Sequence, residues 1–478
     1  MNKFKTKQIF VAVFATVMSS NCGVPKIATL AEKTEVPASF NKNIDTVNSS
    51  NIKWNVFFQD KNLTALIDIA LQRNQELLIT LQEVEIAKND IRIKKGALLP
   101  SIGLRAGAGV EKVGRYTSQG AGDATTEIMP GRVFPEPLGD FKVAAVANWE
   151  VDVWKKLRNS KKAAISRYLS TVEGKNFVIT NLVGEVASSY YELIALDNQL
   201  EIVKQNIELQ SNALEIVKIQ KEAAKATELG VQKFQAEVYD SKSKEFDILQ
   251  AITETENRIN FLLGRFPQVI NREKANFLNL IPNVINIGIP SQLLSNRPDI
   301  KQAELELEAA NLDIKVAKAE FYPSLVISAG VGLNAFKPQY LATMPESLLY
   351  NLVGDIVAPL INRNAIKAEF LNANSRQIQA LFNYEKTVLN AFVEVSNQVA
   401  KISNLDKSYN LKFQRVEALR KSIDASNDLF KSARVDYFEV LMTQRDVLEA
   451  RLELVETKKA QLNTMVEMYR SLGGGWKN

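Results

Sequence analysis

Histidine is absent from the 478 residues of this chain, and cysteine occurs once, at Cys22. The absence of histidine removes the commonest metal ligand and the commonest general base of proteins. A single cysteine cannot form a disulfide within the chain. The sequence shows no nucleophile beside a base and no phosphate-cradling glycine loop before a helix. The composition therefore predicts a protein that is not an enzyme and that has no metal site.

A strong excess of charge is missing as well. The chain has 59 Lys and Arg against 54 Asp and Glu, a net charge of +5, and 24% charged residues. Proteins that bind nucleic acid carry a basic patch or tail. The charge balance predicts no nucleic-acid partner.

Proline is absent between Pro137 and Pro267 and again after Pro359, and no glycine occurs from 365 to 472. Because proline breaks helix interiors, both tracts are free to form very long helices. A sustained period of seven apolar positions in both tracts predicts helices that pack side by side with a left-handed supercoil. The two series are Val172, Ile179, Val186, Leu193, Leu200, Ile207 and Leu214, and Leu381, Val388, Val395, Ile402, Tyr409, Val416, Ile423 and Phe430.

These two series are offset by 209 positions, and the same offset aligns FQAEV at 234–238 with TQRDV at 443–447. Before the helices, DIRIKKGALLPSIGLRAGAG at 90–109 matches DIKVAKAEFYPSLVISAGVG at 313–332 with an offset of 223. The chain is therefore predicted to be an internal duplication. The first copy carries 14 more residues, which we assign to an exposed loop at about 114–140.

Strands are predicted where apolar and polar residues alternate, two in each copy. About ten residues with one apolar face is the length of a membrane-spanning β-strand, although a soluble sandwich shows the same alternation. Four strands are too few to close a transmembrane barrel, and an open edge in lipid is not tolerated. We therefore expect other copies of the chain to complete the barrel in a cyclic oligomer.

The amino terminus has the layout of a secretory signal. Three lysines precede the ten-residue apolar core IFVAVFATVM, which is too short for a permanent transmembrane helix. Cys22 follows this core and is predicted to be the lipidated first residue of a bacterial lipoprotein. An ordinary cleaved signal with an incidental cysteine is the alternative.

Four motifs in order resemble the TolC-like outer-membrane factor family, and more closely its lipoprotein branch associated with resistance–nodulation–division efflux pumps. They are NIKWNVFFQDKNLTALIDIALQRNQEL from Asn51, WEVDVW from Trp149, IPSQLLSNRPDIKQAE from Ile289 and SLGGGW from Ser471. The glycine triplet alone is equally typical of a helix C-cap. The residues that carry the first and third motifs are Trp54, Phe57, Asp60, Leu63, Leu66, Ile67, Ala70, Asn74, Pro290, Leu293, Leu294, Arg297, Pro298, Asp299 and Ile300.

The resemblance implies a mixed α and transmembrane β fold. Long coiled helices would form an α-barrel tunnel, and four strands would contribute to a shared 12-stranded barrel in a homotrimer. We expect a signal peptide at 1–21, a lipidated linker at 22–50, an inter-repeat connection at 265–288 and a tail at 475–478. The first repeat would cover 51–264, with strands 101–112 and 141–153 and the long helix 155–222. The second repeat would cover 289–474, with strands 324–336 and 350–361 and the long helix 364–430.

The same resemblance implies the function. The chain is expected to be the outer-membrane channel of a tripartite efflux system, a passive exit duct for drugs or other small toxic compounds. Its partners would be a periplasmic adaptor protein, an inner-membrane pump and outer-membrane lipid, and the resemblance implies no cofactor. The alternative is a periplasmic adaptor or structural coiled-coil protein without a channel, but adaptors have a single helical hairpin rather than duplicated strand hairpins.

The resemblance also places the closed periplasmic end of the tunnel at ARVDYFEVLMTQR, which begins at Ala433. Phe438 and Met442 occupy the positions of the family's gate leucine and acidic residue, one turn apart on one helix face. We predict a periplasmic aperture at Phe438 and Met442 that is more apolar than usual, with Asp436 and Glu439 supplying acidity nearby. The alternative is that Phe438 and Met442 simply pack the helix pair.

Overall fold

The structure is a computed structural model that describes residues 25, 36–40, 47–273, 277–280, 285–359, 363–432 and 434–477. It divides into two compact units. Ile86–Tyr168 and Leu305–Leu381 belong to the first, and Glu32–Glu85, Leu169–Glu304 and Phe382–Asn478 form the second. Cys22 and the predicted signal peptide lie outside the described residues.

Ten helices and six strands follow one another in the described part of the chain. None of these helices combines the length and the apolar character needed to cross a membrane. Their bounds are α1 Trp54–Phe57, α2 Lys61–Arg73, α3 Gln75–Gly96, β1 Ser101–Glu111, α4 Ser118–Asp123, β2 Glu127–Met129, β3 Arg132–Val133, β4 Leu138–Val151, α5 Lys156–Glu222, α6 Glu228–Leu262, α7 Ser291–Asn296, α8 Pro298–Ala319, β5 Ser324–Ala335, β6 Leu348–Val357, α9 Asn364–Lys431 and α10 Tyr437–Ser471.

The predicted duplication is present in the element bounds. Helices α6 and α10 both have 35 residues and begin 209 positions apart, and α3 and α8 both have 22 residues and begin 223 positions apart. The two long helices have 67 and 68 residues, which corresponds to roughly 100 Å each at 1.5 Å per residue. Both copies therefore fold as the same succession of helix, strand hairpin, long helix and return helix.

The four long strands form one antiparallel sheet in the order β1-β4-β5-β6. Their register places most of the large apolar residues of the four strands on one face, where they pair with apolar or small neighbours. Two such rows across the sheet are Ile102, Ala147, Ala329 and Leu352, and Leu104, Ala145, Val331 and Tyr350. Strands β1 and β6 are the two edges of this sheet.

Some predicted strand bounds are wrong by a few residues. Strand β4 was expected over 141–153 but starts at Leu138, because 138–140 pair with 109–111 despite their loop-like composition. It ends at Val151, since the Asp152 carboxylate turns back to accept the backbone N–H groups of Leu157 and Arg158. The loop predicted at 114–140 consequently ends at 137 and contains α4 and the β2–β3 hairpin.

Strand β6, predicted over 350–361, instead starts at Leu348 and ends at Val357. Leu348 pairs with Leu333, and Val357 pairs with Ser324, the first residue of β5. Ala358 and Pro359 therefore lie outside the ladder, and Pro359 lacks the N–H group that a ladder needs. Residues 360 and 361 of the predicted strand lie outside the described residues. The first strand of each hairpin ends one residue earlier than predicted, at Glu111 and Ala335.

The core of the second unit forms around the middle of α5. Val186, Leu193 and Tyr190 are fully buried there, together with Leu63 and Ile67 of α2. Residues of the first sequence motif contact Tyr469 of α10, whose ring stacks on Phe57 at 4.0 Å and whose hydroxyl donates to the carbonyl of Ile52. The first sequence motif thus packs against the last turns of α10.

Candidate functional site

Two tight turns join the long helices to the return helices. In the first turn, the N–H of Lys225 donates to the carbonyl oxygen of Gln220 over 2.8 Å. In the second, the N–H of Arg434 donates to the carbonyl oxygen of Leu429 over 2.9 Å. Both bonds follow the Schellman pattern that ends helices, and their positions differ by 209. The two copies therefore reverse direction by the same hydrogen bond.

The first turn contains a strained residue. Ala224 has φ of 56°, in the left-handed region that favours glycine. The ammonium of Lys221 pairs with the carboxylate of Glu228 across this turn. The hydrogen bond from Lys221 lowers the pKa of the Glu228 carboxyl, with a further contribution from Gln232. The charge pair thus holds the last turn of α5 against the first turn of α6.

The return helices are capped by matching residues of the two copies. The hydroxyl of Thr227 accepts the N–H of Gly230, and the carboxylate of Asp436 accepts the N–H groups of Phe438 and Glu439 at 2.8 and 3.2 Å. Asp436 was predicted to supply acidity to the aperture. The structure shows that one of its oxygens is engaged as the N-cap of α10.

The two hairpins contact each other through Tyr437 and Gly230. A β-carbon at Gly230 would lie 3.1 Å from the Tyr437 ring, which is closer than ordinary van der Waals contact, so a larger residue would have to displace the ring. The ring also faces Phe234 with a centroid separation of 6.4 Å. Behind this contact, α5, α6 and α10 share a small core of Leu214, Val217, Val231, Phe234, Val238 and Leu441.

The predicted aperture residues lie beside this contact. Phe438 is 45% exposed, and the ammonium of Lys233 on α6 lies 4.7 Å from the centroid of its ring. This distance is that of a cation–π interaction. Met442 follows one turn later and is half-buried, while Glu439 is exposed. The structure therefore brings Phe438 together with Lys233, and Tyr437 provides the packing between the hairpins.

Sequence reasoning missed Gly230, Lys233 and Tyr437 as members of this site. Gly230 carried a usable signal, because a glycine near the start of a long helix weakens the helix unless something packs closely against it. Lys233 and Tyr437 carried none, since both look like ordinary exposed helix residues. Their roles depend on a contact between segments that are about 200 positions apart.

The third sequence motif forms a buried charge cluster. Arg297, 4% exposed, makes a two-pronged contact with the Asp299 carboxylate at 3.0 and 2.6 Å. It also donates to Glu394 on α9 at 2.7 Å and to the carbonyl of Ser471 at the end of α10. Burial alone would lower the pKa of Arg297, but these two carboxylates outweigh it and raise the pKa. Arg297 thus ties the start of α8 to both helices of the second hairpin.

The last motif completes this arrangement. Gly473 has φ of 87° and lies where a β-carbon would come within 2.5 Å of the Asn296 carbonyl oxygen. A β-carbon at Gly474 would lie 2.4 Å from the ring of Tyr469. The glycines therefore serve as a helix C-cap and also permit two close approaches. Within the described residues, no group of three or more Asp, Glu, Cys or His side chains is arranged to hold a metal ion.

Comparison with known proteins identifies the family to which this architecture belongs. The sequence profile described as "Outer membrane efflux protein" matches residues 66–265 and 289–474, one match for each copy of the duplication. The chain belongs to the outer membrane efflux protein family. The predicted family, fold class, efflux function and outer-membrane location are confirmed by this match and by the relatives below.

Relatives of this outer membrane efflux protein cover nearly its whole length. The pyoverdine export outer membrane protein OpmQ of Pseudomonas aeruginosa is 28% identical over 427 residues, 89% of this chain and 88% of its own. The cation efflux system protein CusC of Escherichia coli K12 is 26% identical over 428 residues, 90% of each chain. The open-state MtrE channel of Neisseria gonorrhoeae has the same fold, with a TM-score of 0.82, 22% identity and coverage of 95% and 98%.

Family membership also decides between the functional alternatives. An outer membrane efflux protein is a transport protein and neither a periplasmic adaptor nor a structural coiled coil.

Proposed function

We propose that three copies of this chain assemble into one duct, with a barrel of twelve strands and a tunnel of twelve helices. The duct is the passive exit of a tripartite system that removes drugs or other small toxic compounds. The observation that carries the proposal is the sheet, which has one continuous apolar face and two unpaired edges among the described strands.

The two edge strands, β1 and β6, are more exposed than the two central strands of the sheet. Every residue of β1 is exposed, including Leu104 at 87%, and Leu352 on β6 is 77% exposed. An unpaired strand edge is not tolerated in lipid, where each unsatisfied backbone group costs several kcal/mol. Strands β1 and β6 run in opposite directions. Strand β6 of one subunit can therefore pair with β1 of the next subunit in the same antiparallel manner as the other strands of the sheet. Three copies then give a closed, cyclic arrangement.

Disulfide cross-linking tests this pairing. Leu104 and Leu352 lie on the apolar face of the two edges, and the natural chain has a single cysteine. We expect a set of double variants, Leu104→Cys combined with Tyr350→Cys, Leu352→Cys or Gly354→Cys, to include one that forms covalent dimers and trimers on oxidation. Each single variant is the matched control and should stay uncross-linked. If every double variant remains monomeric, β1 and β6 of neighbouring copies do not pair.

The proposed partners are a periplasmic adaptor and an inner-membrane pump that supplies the energy. Two relatives of similar identity, 28% and 26%, are named for such different cargoes as pyoverdine and cations. This difference supports a duct whose cargo is chosen mainly by the pump. Substrate profiles measured with exchanged pumps test this division, because the profile should follow the pump and not the duct.

The proposed aperture lies at the hairpin tips. Phe438 and Met442 form its apolar constriction, with Asp436 and Glu439 beside them. The exposed ring of Phe438 leaves it accessible to the tunnel in this assignment. An apolar constriction excludes water and ions by dewetting when it is narrow. The Lys233 contact anchors the ring on the neighbouring hairpin.

The proposed lipid anchor is Cys22, which lies outside the described residues. Metabolic labelling with a fatty acid tests it, with Cys22→Ala as the variant. Labelling should disappear from the variant and remain in the parent protein. Persistent labelling of the variant would place the acyl chain elsewhere.

A further inference from the structure

Basic residues are concentrated at one end of the four-stranded sheet. Strands β1 and β5 begin at this end, and β4 and β6 finish there. The adjoining described residues, 92–100, 152–162, 315–323, 358–359 and 363–367, contain twelve basic and two acidic residues. The loops at the opposite end, 112–137 and 336–347, contain four of each. The excess of positive charge is therefore confined to one end.

The strand pairing shows why these segments are neighbours although they are far apart in sequence. Val151 pairs with Leu325, and Ser324 pairs with Val357, so the ends of β4, β5 and β6 are level. The helices α3 and α8 end next to this end of the sheet, and α5 and α9 start next to it. Lysines on these helices lie within about two helical turns, or roughly 11 Å, of the sheet.

Six lysines of these segments are available to a ligand. Two other basic residues are already paired, Lys156 with Glu150 and Arg158 with Asp152. Among the described residues, the six form no ion pair, and five of them are on or next to helix ends. We call them the lysine collar: Lys95, Lys155, Lys162, Lys315, Lys318 and Lys367, all exposed.

An aromatic pair lies at the same end. The rings of Trp154 and Tyr322 are stacked with centroids 4.7 Å apart, and the indole N–H of Trp154 donates to the carbonyl oxygen of Pro323 over 2.7 Å. Trp154 is nevertheless 47% exposed. Tryptophan and tyrosine are enriched where a membrane meets water, because one end of each ring is apolar and the other polar.

We propose that the lysine collar binds the headgroups of anionic phospholipids in the periplasm-facing leaflet of the outer membrane. The inference rests on the proposed function, because the strands must cross that membrane for the collar to lie at its surface. The apolar sheet face would then contact the acyl chains, the aromatic pair would mark the interface, and the lysines would reach the phosphates. Lysines at an anionic lipid surface contribute about 1 kcal/mol each, which corresponds to about a fivefold preference.

Native mass spectrometry of the full chain purified in detergent tests the inference. The protein is titrated with phosphatidylglycerol or with phosphatidylcholine of the same acyl chains, and the bound lipid is counted. The collar variant replaces the six lysines by glutamine. A matched control replaces six exposed lysines of the second unit that also lack ion pairs among the described residues: Lys225, Lys242, Lys386, Lys401, Lys407 and Lys421.

We expect the parent protein to retain phosphatidylglycerol at least about fivefold more than phosphatidylcholine. The preference should vanish in the collar variant and persist in the control. An equal loss of the phosphatidylglycerol preference in both variants would show that only net charge matters. It would overturn the assignment of the lysine collar as a binding site. Displacement of the lipid by glycerol phosphate at millimolar concentration would indicate a site for soluble phosphate esters and would overturn the lipid assignment.

The same spectra give the oligomeric mass. A trimer without a preference for phosphatidylglycerol overturns the lipid inference and leaves the proposed duct standing. A monomer contradicts the proposed duct itself.

Discussion

The ring of Tyr437 lies over Gly230, so that a β-carbon at Gly230 would come within 3.1 Å of it. Gly230 is in the first turn of α6 and Tyr437 is the first residue of α10. This contact joins the tips of the two hairpins, one from each copy of the duplication. A side chain at position 230 would therefore have to displace the Tyr437 ring by a few tenths of an ångström at the tips that form the proposed aperture.

Gly230→Ala should loosen the hairpin tips. The added methyl group has to displace the Tyr437 ring, and overpacking of this kind costs about 1–3 kcal/mol. We expect greater entry of a large antibiotic into cells that carry the variant, measured as a lower growth-inhibiting concentration. Gly174→Ala is the matched control, because its new methyl group meets only the flexible side chain of Gln302. Equal sensitivity of the two variants would show that the Gly230 contact does not hold the tips closed.

Replacing Phe438 and Met442 by serine should open the constriction to water. A polar lining removes the dewetting barrier that an apolar ring provides. We expect a higher single-channel conductance in planar bilayers than that of the parent protein. Phe413→Ser is the control, since Phe413 is 48% exposed, close to the 45% of Phe438, but lies in the middle of α9. Unchanged conductance in the double variant would reduce Phe438 and Met442 to packing residues.

Ala224→Gly should stabilise the first turn. Relief of the left-handed strain at φ 56° outweighs the extra backbone entropy of glycine, for a net gain of about 0.5–1 kcal/mol. Ala223 has no positive φ, so Ala223→Gly should lower the free energy of unfolding by about 0.5–1 kcal/mol. The melting temperatures of the two variants should therefore move in opposite directions. Movement in the same direction would mean that Ala224 is not strained.

Arg297→Lys should destabilise the second unit strongly. Lysine cannot reproduce the two-pronged contact with Asp299 while also reaching Glu394 and Ser471. Breaking a buried ion pair costs about 3–5 kcal/mol, so we expect a low yield of assembled protein and a reduced melting temperature. Arg376→Lys is the control, because the Arg376–Glu369 pair is exposed and worth no more than about 1 kcal/mol. Similar losses in both variants would argue against a special role for the buried cluster.

The sequence predicted the parts of the fold that depend on periodicity. The seven-residue series and the two offsets place α3, α5, α6 and their counterparts, since helix length follows from proline and glycine placement. Strand ends were predicted less well. Leu138, Gly139 and Asp140 look like a loop but pair with β1, and this pairing depends on where the partner strand ends.

The site could be predicted only in part. The family motif located Phe438 and Met442. Lys233 and Tyr437 become neighbours of the aperture only through contacts between the two repeats of the same chain. The lysine collar could not be predicted from the sequence either, because its members are spread from Lys95 to Lys367 and become neighbours only in the folded chain. Hydrophobic periodicity carries no information about such contacts.

Electron microscopy of the detergent-purified protein, together with its oligomeric mass, tests the central claim most directly. The account predicts a trimer that appears as a hollow cylinder with threefold symmetry and a helical section of roughly 100 Å. A monomer that stays soluble without detergent would contradict it, because the apolar sheet face and the edge strands β1 and β6 would then need neither lipid nor a second copy.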